Sequence, residues 1–241
     1  MRWLIRRWWL AVGFLTRLPV PSVRAEPADF AAAIRLYPPV GLVIGAGVAG
    51  ADWLGARLDP WCGALAALVA WVAITGALHL DGLGDVADGL GAAHGDRNRL
   101  IAVMAEPHVG SFGVVAIGIQ LLAKLVLLHA LAPFGWGALV LVPFAARIGP
   151  LAWARWLPPL KPGLGATVAA GVRVRDLAGW GLALAGGCVV APGLLAAPLL
   201  IAGFGAWAWR RLGGISGDGH GAGIELVETG LLLASVAAGR L

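Results

Sequence analysis

His79-Leu80-Asp81-Gly82-Leu83-Gly84-Asp85-Val86-Ala87-Asp88-Gly89-Leu90 follows an almost uninterrupted apolar run from Cys62 to Leu78, in a chain of 241 residues. Three of the nine aspartates stand in this stretch, at i, i+4 and i+7. On a helix turning about 100° per residue, they fall within roughly 60° of one another. Three carboxylates on one stripe repel each other and disfavour an isolated helix. A divalent cation removes that cost, and Mg²⁺ takes carboxylate oxygens, often together with substrate phosphates. A solvated acidic helix end outside a membrane does not need three acids on one face beside glycines. Asp81, Asp85 and Asp88 are therefore the expected metal ligands. His79 points off the stripe and reads as a polar anchor at the membrane surface. Asp96 is near enough to join, although Gly91 and Gly95 are expected to end the helix first.

The residues on either side set the environment. The chain is 59% hydrophobic and 13% charged, where soluble chains carry about a quarter charged residues, and its mean hydropathy is +0.84. This composition predicts an all-α, polytopic integral membrane bundle forming a single membrane-embedded catalytic domain over residues 1–241. The apolar runs fall at 38–56, 62–80, 109–131, 137–156, 177–190, 193–209 and 222–238, which is about seven spans. Before them, Arg2, Arg6, Arg7, Arg17, Arg24 and Arg35 alternate with Trp3, Trp8 and Trp9, the pattern of an interfacial amphipathic helix. Arg6-Arg7 precede only a short apolar run, so no cleavable signal peptide is expected. Cys62 and Cys188 lack metal-type spacing and read as free thiols. The basic residues lie in loops between apolar runs, which argues for topology determinants and against a nucleic-acid partner.

Two further loops carry chemistry. In Glu106-Pro107-His108-Val109-Gly110-Ser111-Phe112-Gly113, proline fixes a turn and the glycines permit close backbone approach, so His108 and Ser111 could line a phosphate or a substrate wall. In Gly213-Gly214-Ile215-Ser216-Gly217-Asp218-Gly219-His220-Gly221, the amides around Ser216 and Gly217 suit phosphate oxygens, and Asp218 adds an acid. Glu225 and Glu228 lie on one side of the last span, where acids are costly in lipid. They read either as functional groups or as partners of Lys124 and Arg147. Arg155, Lys161, Arg173 and Arg175 could form a positive wall for an anionic substrate. Arg155 and Lys161 are preferred, because they flank Pro158-Pro159 and a Gly-rich turn. The chain has no Walker loop, no Gly-x-Ser-x-Gly elbow and no Cys/His cluster. Carboxylate–Mg²⁺ chemistry beside basic and Gly-rich loops fits phosphoryl or phosphodiester transfer.

Phe14-Leu15-Thr16-Arg17-Leu18-Pro19-Val20-Pro21, Tyr37-Pro38-Pro39-Val40-Gly41, the Asp-rich stretch, Val109-Gly110-Ser111-Phe112-Gly113 and Gly213-Gly214-Ile215-Ser216-Gly217-Asp218 occur in the order and spacing of the cobalamin synthase family. The resemblance covers nearly the whole chain. It departs at Ser216, where the family has Thr, at His220, where an apolar residue is usual, and at Glu106, where Asp is usual. It implies a Mg²⁺-dependent transferase of cobalamin biosynthesis in the bacterial inner membrane. Such an enzyme joins adenosylcobinamide-GDP to α-ribazole, or to its 5′-phosphate, and releases GMP. Asp81, Asp85 and Asp88 would hold the metal, and one of them or Asp218 would take the nucleophile's proton. The lipid bilayer is the implied surrounding partner, and a homo-oligomer is compatible. Two rivals stand beside this reading. A membrane phosphotransferase of the CDP-alcohol type should carry Ala-Arg after its Asp-Gly, which this chain lacks. A transporter should carry acids near mid-membrane, whereas the Asp-rich stretch follows the end of a span.

A cytoplasmic N-terminus places the loops 80–108, 155–176 and 210–221 on one side, and with the N-terminal region they hold 14 of the 18 basic residues. That asymmetry sets the orientation. In a background with Cys62 and Cys188 replaced by serine, single cysteines at Asn98 and at Gly165 are expected to react with an impermeant thiol reagent from the cytoplasmic side only. Labelling of either from the opposite side would separate the motifs and overturn the arrangement.

Overall fold

A computed structural model describes residues 2–24, 26–160 and 171–240. Among these residues the protein is all-α, and its helices follow the apolar runs. Helix α1 (Arg2–Leu15) and the short α2 (Pro27–Ala33) lead through one 3-10 turn into α3 (Tyr37–Gly55). Then come α4 (Pro60–Thr75), α5 (Leu78–Ala93), α6 (Arg97–Val103) and α7 (Ser111–Leu131). After a turn follow α8 (Gly137–Ala146), α9 (Gly149–Trp156), α10 (Val174–Val190), α11 (Ala197–Arg211) and α12 (Gly217–Ala238).

Among the described residues, five helical segments are long and apolar enough to cross a membrane, and a sixth counts if α4 and α5 form one bent span. The run 177–190 belongs to α10, whose 17 residues reach about 26 Å at 1.5 Å per residue. That is short of the roughly 30 Å hydrocarbon core. The run 137–156 is helical on both sides of a turn at Arg147-Ile148, so α8 and α9 share one broken span. The amphipathic N-terminal helix is present. It buries Ala11, Val12 and Leu15 and leaves Trp3, Leu4 and Ile5 about half exposed, and Arg6 and Arg7 tie it to Asp29 of α2 at 2.7 and 3.1 Å.

The helices approach closely at small residues, as association in lipid requires where no water drives it. Gly41 and Gly45 of α3 lie directly on the backbone of α8, where a Cβ would collide with Phe144 and Val140. Helix α12 is central and packs against α5, α7, α8, α9 and α11.

The largest departure from the sequence pattern lies between α4 and α5. The apolar run 62–80 suggests one straight helix, but the chain turns by 84° at Gly76-Ala77. Both residues are left-handed, with φ of 62° and 58°. Gly76 ends α4: its amide donates to Ala73 O at 3.2 Å and the Ala77 amide to Val72 O at 3.0 Å, an αL cap suited to glycine. Ala77 pays a Cβ penalty there. The turn swings the Asp-bearing helix across the bundle instead of out of it.

The two corner residues should respond oppositely to substitution. Gly76→Ala adds a Cβ in the left-handed region and against the Arg17 side chain, and should lower the thermal midpoint in detergent by the equivalent of about 1–2 kcal/mol. Ala77→Gly removes a left-handed Cβ and should leave the midpoint level or raise it. Equal losses at both positions would rule out the corner.

Candidate active site

Helix α5 presents its three aspartates at three different depths. Asp81 is exposed, Asp85 is half-buried and Asp88 is 8% exposed. The difference follows from what packs on each part of the helix. Gly82 lies against the backbone of Asp218, where a Cβ would come within 2.7 Å of the Asp218 carbonyl oxygen. Gly84 meets Ile117 of α7, and Gly89 meets Met104 at the end of α6. The glycines between and just after the acids are thus the contact points with three other elements, and the Asp81 end is left at the surface.

Asp88, expected as the third metal ligand, carries a different task. Its Oδ2 accepts the Gly110 amide at 2.6 Å and its Oδ1 accepts the Gly113 amide at 2.9 Å. Gly110 and Gly113 are the N-cap and third residue of α7, two of the amides a helix cannot satisfy internally. Gly110 has no side chain to cap them, so a carboxylate from α5 does so across 22 and 25 residues of sequence. The interaction is charge-assisted and complements the positive end of α7. A Cβ at Gly110 or Gly113 would strike the Asp88 carboxylate. The glycines of the 106–113 loop therefore serve this cap, and the cap holds His108 and Ser111, both exposed, next to α5. The missing polar N-cap on a long apolar helix was the signal in the sequence that its amides needed an outside acceptor.

The third motif forms the start of α12. Ser216 is its N-cap: the buried hydroxyl oxygen accepts the Gly219 amide at 3.0 Å and donates to Asp218 Oδ2 at 3.4 Å. Gly217 is exposed, with open space where a side chain would stand. Two backbone bonds, Leu160 N–H to Ile215 O at 2.8 Å and Ile215 N–H to Pro158 O at 2.9 Å, pair this loop with the segment after α9. Arg155 is exposed at the end of that helix. Lys161 lies outside the described residues. Arg97 reaches Gly213 O at 3.5 Å, so the three polar loops placed on one side by charge do meet one another. Asp96 is not part of the acid face: it caps α6 through the Asn98 and Arg99 amides.

His79 is buried at 2% exposure, so it is not a surface anchor. It lies within electrostatic range of Arg147, Glu228 and Lys124. These belong to a buried cluster in which Lys124 Nζ meets Glu225 at 2.8 Å and Glu228 at 2.6 Å, and Arg147 meets Glu228 at 2.8 Å. Gln120 adds bonds to Glu225 and Thr229, and Lys124 stands 4.4 Å from the Trp71 ring centroid. Of the two readings open for Glu225 and Glu228, the structure takes the pairing one.

Among the described residues, no three His, Cys, Asp or Glu side chains gather in the manner of a protein-only metal cage. Mg²⁺ does not require one, since it commonly takes one or two carboxylates and completes its shell with water and phosphate oxygens. Asp81 and Asp85, one turn apart, fit such a set, and the half-buried Asp218 stands on the next element.

Fold and site together define a polytopic helical membrane protein that gathers acidic and Gly-rich loops around one transverse helix. The chain belongs to the cobalamin-5-phosphate synthase family, whose pattern matches residues 7–236. A relative from Novosphingobium aromaticivorans is 61% identical over 93% of this chain and 93% of its own length. Relatives from Laribacter hongkongensis and Thiobacillus denitrificans are 54% identical over 96% and 97%, and 51% identical over 93% and 92%, respectively. All three carry the name adenosylcobinamide-GDP ribazoletransferase. No solved structure matches the chain.

The capping role changes what substitution of the acids does to stability. Like-charge repulsion alone would make Asn at any of the three neutral or slightly stabilising. At Asp88, Asn also loses a charge-assisted acceptor and turns an NH₂ toward an amide. Asp88→Asn should therefore lower the thermal midpoint by the equivalent of about 1–3 kcal/mol, while Asp81→Asn leaves it level. A midpoint unchanged in Asp88→Asn would remove the cap.

Proposed function

We propose that the protein is an adenosylcobinamide-GDP ribazoletransferase of the bacterial cytoplasmic membrane, with its acid face toward the cytoplasm. In this reading it joins adenosylcobinamide-GDP to α-ribazole, or to its 5′-phosphate, and releases GMP. The observation that carries it is the contact of Gly82 with Asp218, which brings the exposed Asp81 and the half-buried Asp85 of α5 to the start of α12 in a chain of this family.

The chemistry needs three things from the residues. The diphosphate must be held, and the open start of α12 at Ser216-Gly217 offers amides and the positive end of a 22-residue helix, a natural anion site. Ser111, Arg155, Lys161 and His108 are proposed to border the bound anion. Its charge must be offset: Asp81 and Asp85 would hold Mg²⁺, which when bound would supply positive charge beside the diphosphate. Asp88 supports that set from behind by fixing the 106–113 loop. The nucleophile's proton must be taken, and Asp218 is assigned that role. The ribazole hydroxyl then forms an O–P bond at the cobinamide-side phosphorus, the anhydride bond breaks, and GMP leaves with its electron pair.

The assay is purified protein in detergent with adenosylcobinamide-GDP, α-ribazole and Mg²⁺, followed by GMP release. Asp81→Asn and Asp85→Asn should each raise the Mg²⁺ concentration for half activity and depress maximal turnover. Asp218→Asn should lower turnover at least about tenfold with membrane insertion intact. Absence of GMP from the wild type would overturn the activity. Unchanged Mg²⁺ dependence in both helix variants would overturn the metal assignment.

A further inference from the structure

On another part of the bundle a cavity of about 660 Å³ opens between α1, the 3-10 turn before α3 and the start of α10. Four arginines line it: Arg7, Arg35, Arg173 and Arg175, against the single carboxylate of Asp176. Two of the four are hydrogen-bonded through Nε alone, and the Arg7 guanidinium also sits 4.8 Å from the Trp3 ring centroid. Arg7 bonds Asp29 at 3.1 Å, and Arg35 bonds Gly171 O at 2.6 Å and Asp176 at 3.2 Å. Their Nη ends make no hydrogen bond among the described residues. Asp176 is already engaged by Arg35 and by the Arg173 amide at 3.0 Å, so it offsets little of the remaining charge. Arg173 and Arg175 are exposed.

The other wall is apolar. Trp3 and Leu4 of α1 line the cavity and are 53% and 45% exposed, with Ile5 beside them at 51%, and Trp180 closes the α10 side. A concentration of guanidiniums bounded by exposed tryptophan and aliphatic side chains, on a helix that lies along the bundle's edge, is what an amphiphile needs. Guanidiniums grip phosphate oxygens bidentately, and the apolar skirt accommodates chains. Basic pockets among membrane helices take anionic headgroups on this logic. A soluble anion would have no use for the skirt. None of the lining residues belongs to the acid face of α5.

We propose that this cavity binds the phosphodiester headgroup of an anionic phospholipid, seating α1 on the membrane. The test uses the full chain, stripped of lipid in detergent and titrated with dioleoyl-phosphatidylglycerol or dioleoyl-phosphatidylcholine, with retained lipid counted by native mass spectrometry. The wild type should retain phosphatidylglycerol at least about fivefold more tightly than phosphatidylcholine. Arg173→Gln/Arg175→Gln should abolish the preference, and Arg173→Lys/Arg175→Lys, which keeps both charges, should retain part of it. Arg210→Gln/Arg211→Gln, an equally basic pair outside the cavity, should leave the preference intact.

Equal retention of both lipids by the wild type would overturn the site. So would a preference that survives the Gln pair, or one lost as fully with Arg210 and Arg211. Should the Gln pair not yield folded protein, the Lys pair and a competition on the wild type decide. Displacement of the lipid by millimolar inorganic diphosphate would make the cavity a soluble-anion site and overturn the lipid assignment. Retention in its presence supports it.

Discussion

Two cations and two anions, Lys124, Arg147, Glu225 and Glu228, are each no more than 3% exposed inside an apolar bundle. Their charges cancel, and their bonds of 2.6–2.8 Å join α7, α8 and α12 at one point. An ion pair of this kind adds little over a well-packed apolar core. Leaving one member without its partner costs about 3–5 kcal/mol. The cluster therefore acts mainly as a constraint on arrangement: α12 cannot slide or rotate against α7 and α8 without leaving a buried charge unpaired. Glu228 lies a few turns from Ser216, so the same constraint fixes where the start of α12 points. Everything proposed for Asp218 depends on that fixed direction.

The second constraint is the thinness of α5. Helix pairs in lipid gain little from hydrophobic exclusion and rely on close contact. Gly82 lets the backbone of α12 reach α5, Gly84 admits the Ile117 side chain of α7, and Gly89 admits Met104 and the Leu100 carbonyl at α6. The helix is held where its own sequence is least bulky, and its acids, which share one face, divide according to which part of its length is covered. Asp88 lies where α7 begins and becomes a cap, while Asp81 lies at the uncovered end. One sequence pattern thus supplies both a scaffold bond and an open carboxylate.

The apolar runs, the amphipathic N-terminus and the grouping of the polar loops were legible because they depend on composition over many residues, which single exceptions do not disturb. The convergence of the three motifs was legible through charge asymmetry and resemblance. What periodicity could not show was local and geometric. A residue count treats Asp81, Asp85 and Asp88 alike, since nothing in i, i+4, i+7 distinguishes a carboxylate that meets a helix end 22 residues away. The 84° corner was hidden because Gly76-Ala77 looks like any small pair inside an apolar run, and an alanine in the left-handed region has no signature. The pairing of Glu228 with both Lys124 and Arg147 was one of two readings, and only the rotation of three helices about their axes decides between them.

The corner and the cap are linked. If α4 and α5 were continuous, α5 would leave the bundle along the axis of α4, and Asp88 would be carried away from the start of α7. Turning by 84° keeps α5 across the ends of α7 and α12, where one acid can satisfy the amides of α7 while Gly82 rests on Asp218. The left-handed strain at Ala77, about 1–2 kcal/mol, is of the same order as the two charge-assisted hydrogen bonds at Asp88 that the turn makes available. A locally unfavourable backbone is thereby held in place by bonds formed more than ten residues away. The acid face is a consequence of that exchange: it exists only while both the corner and the cap are intact.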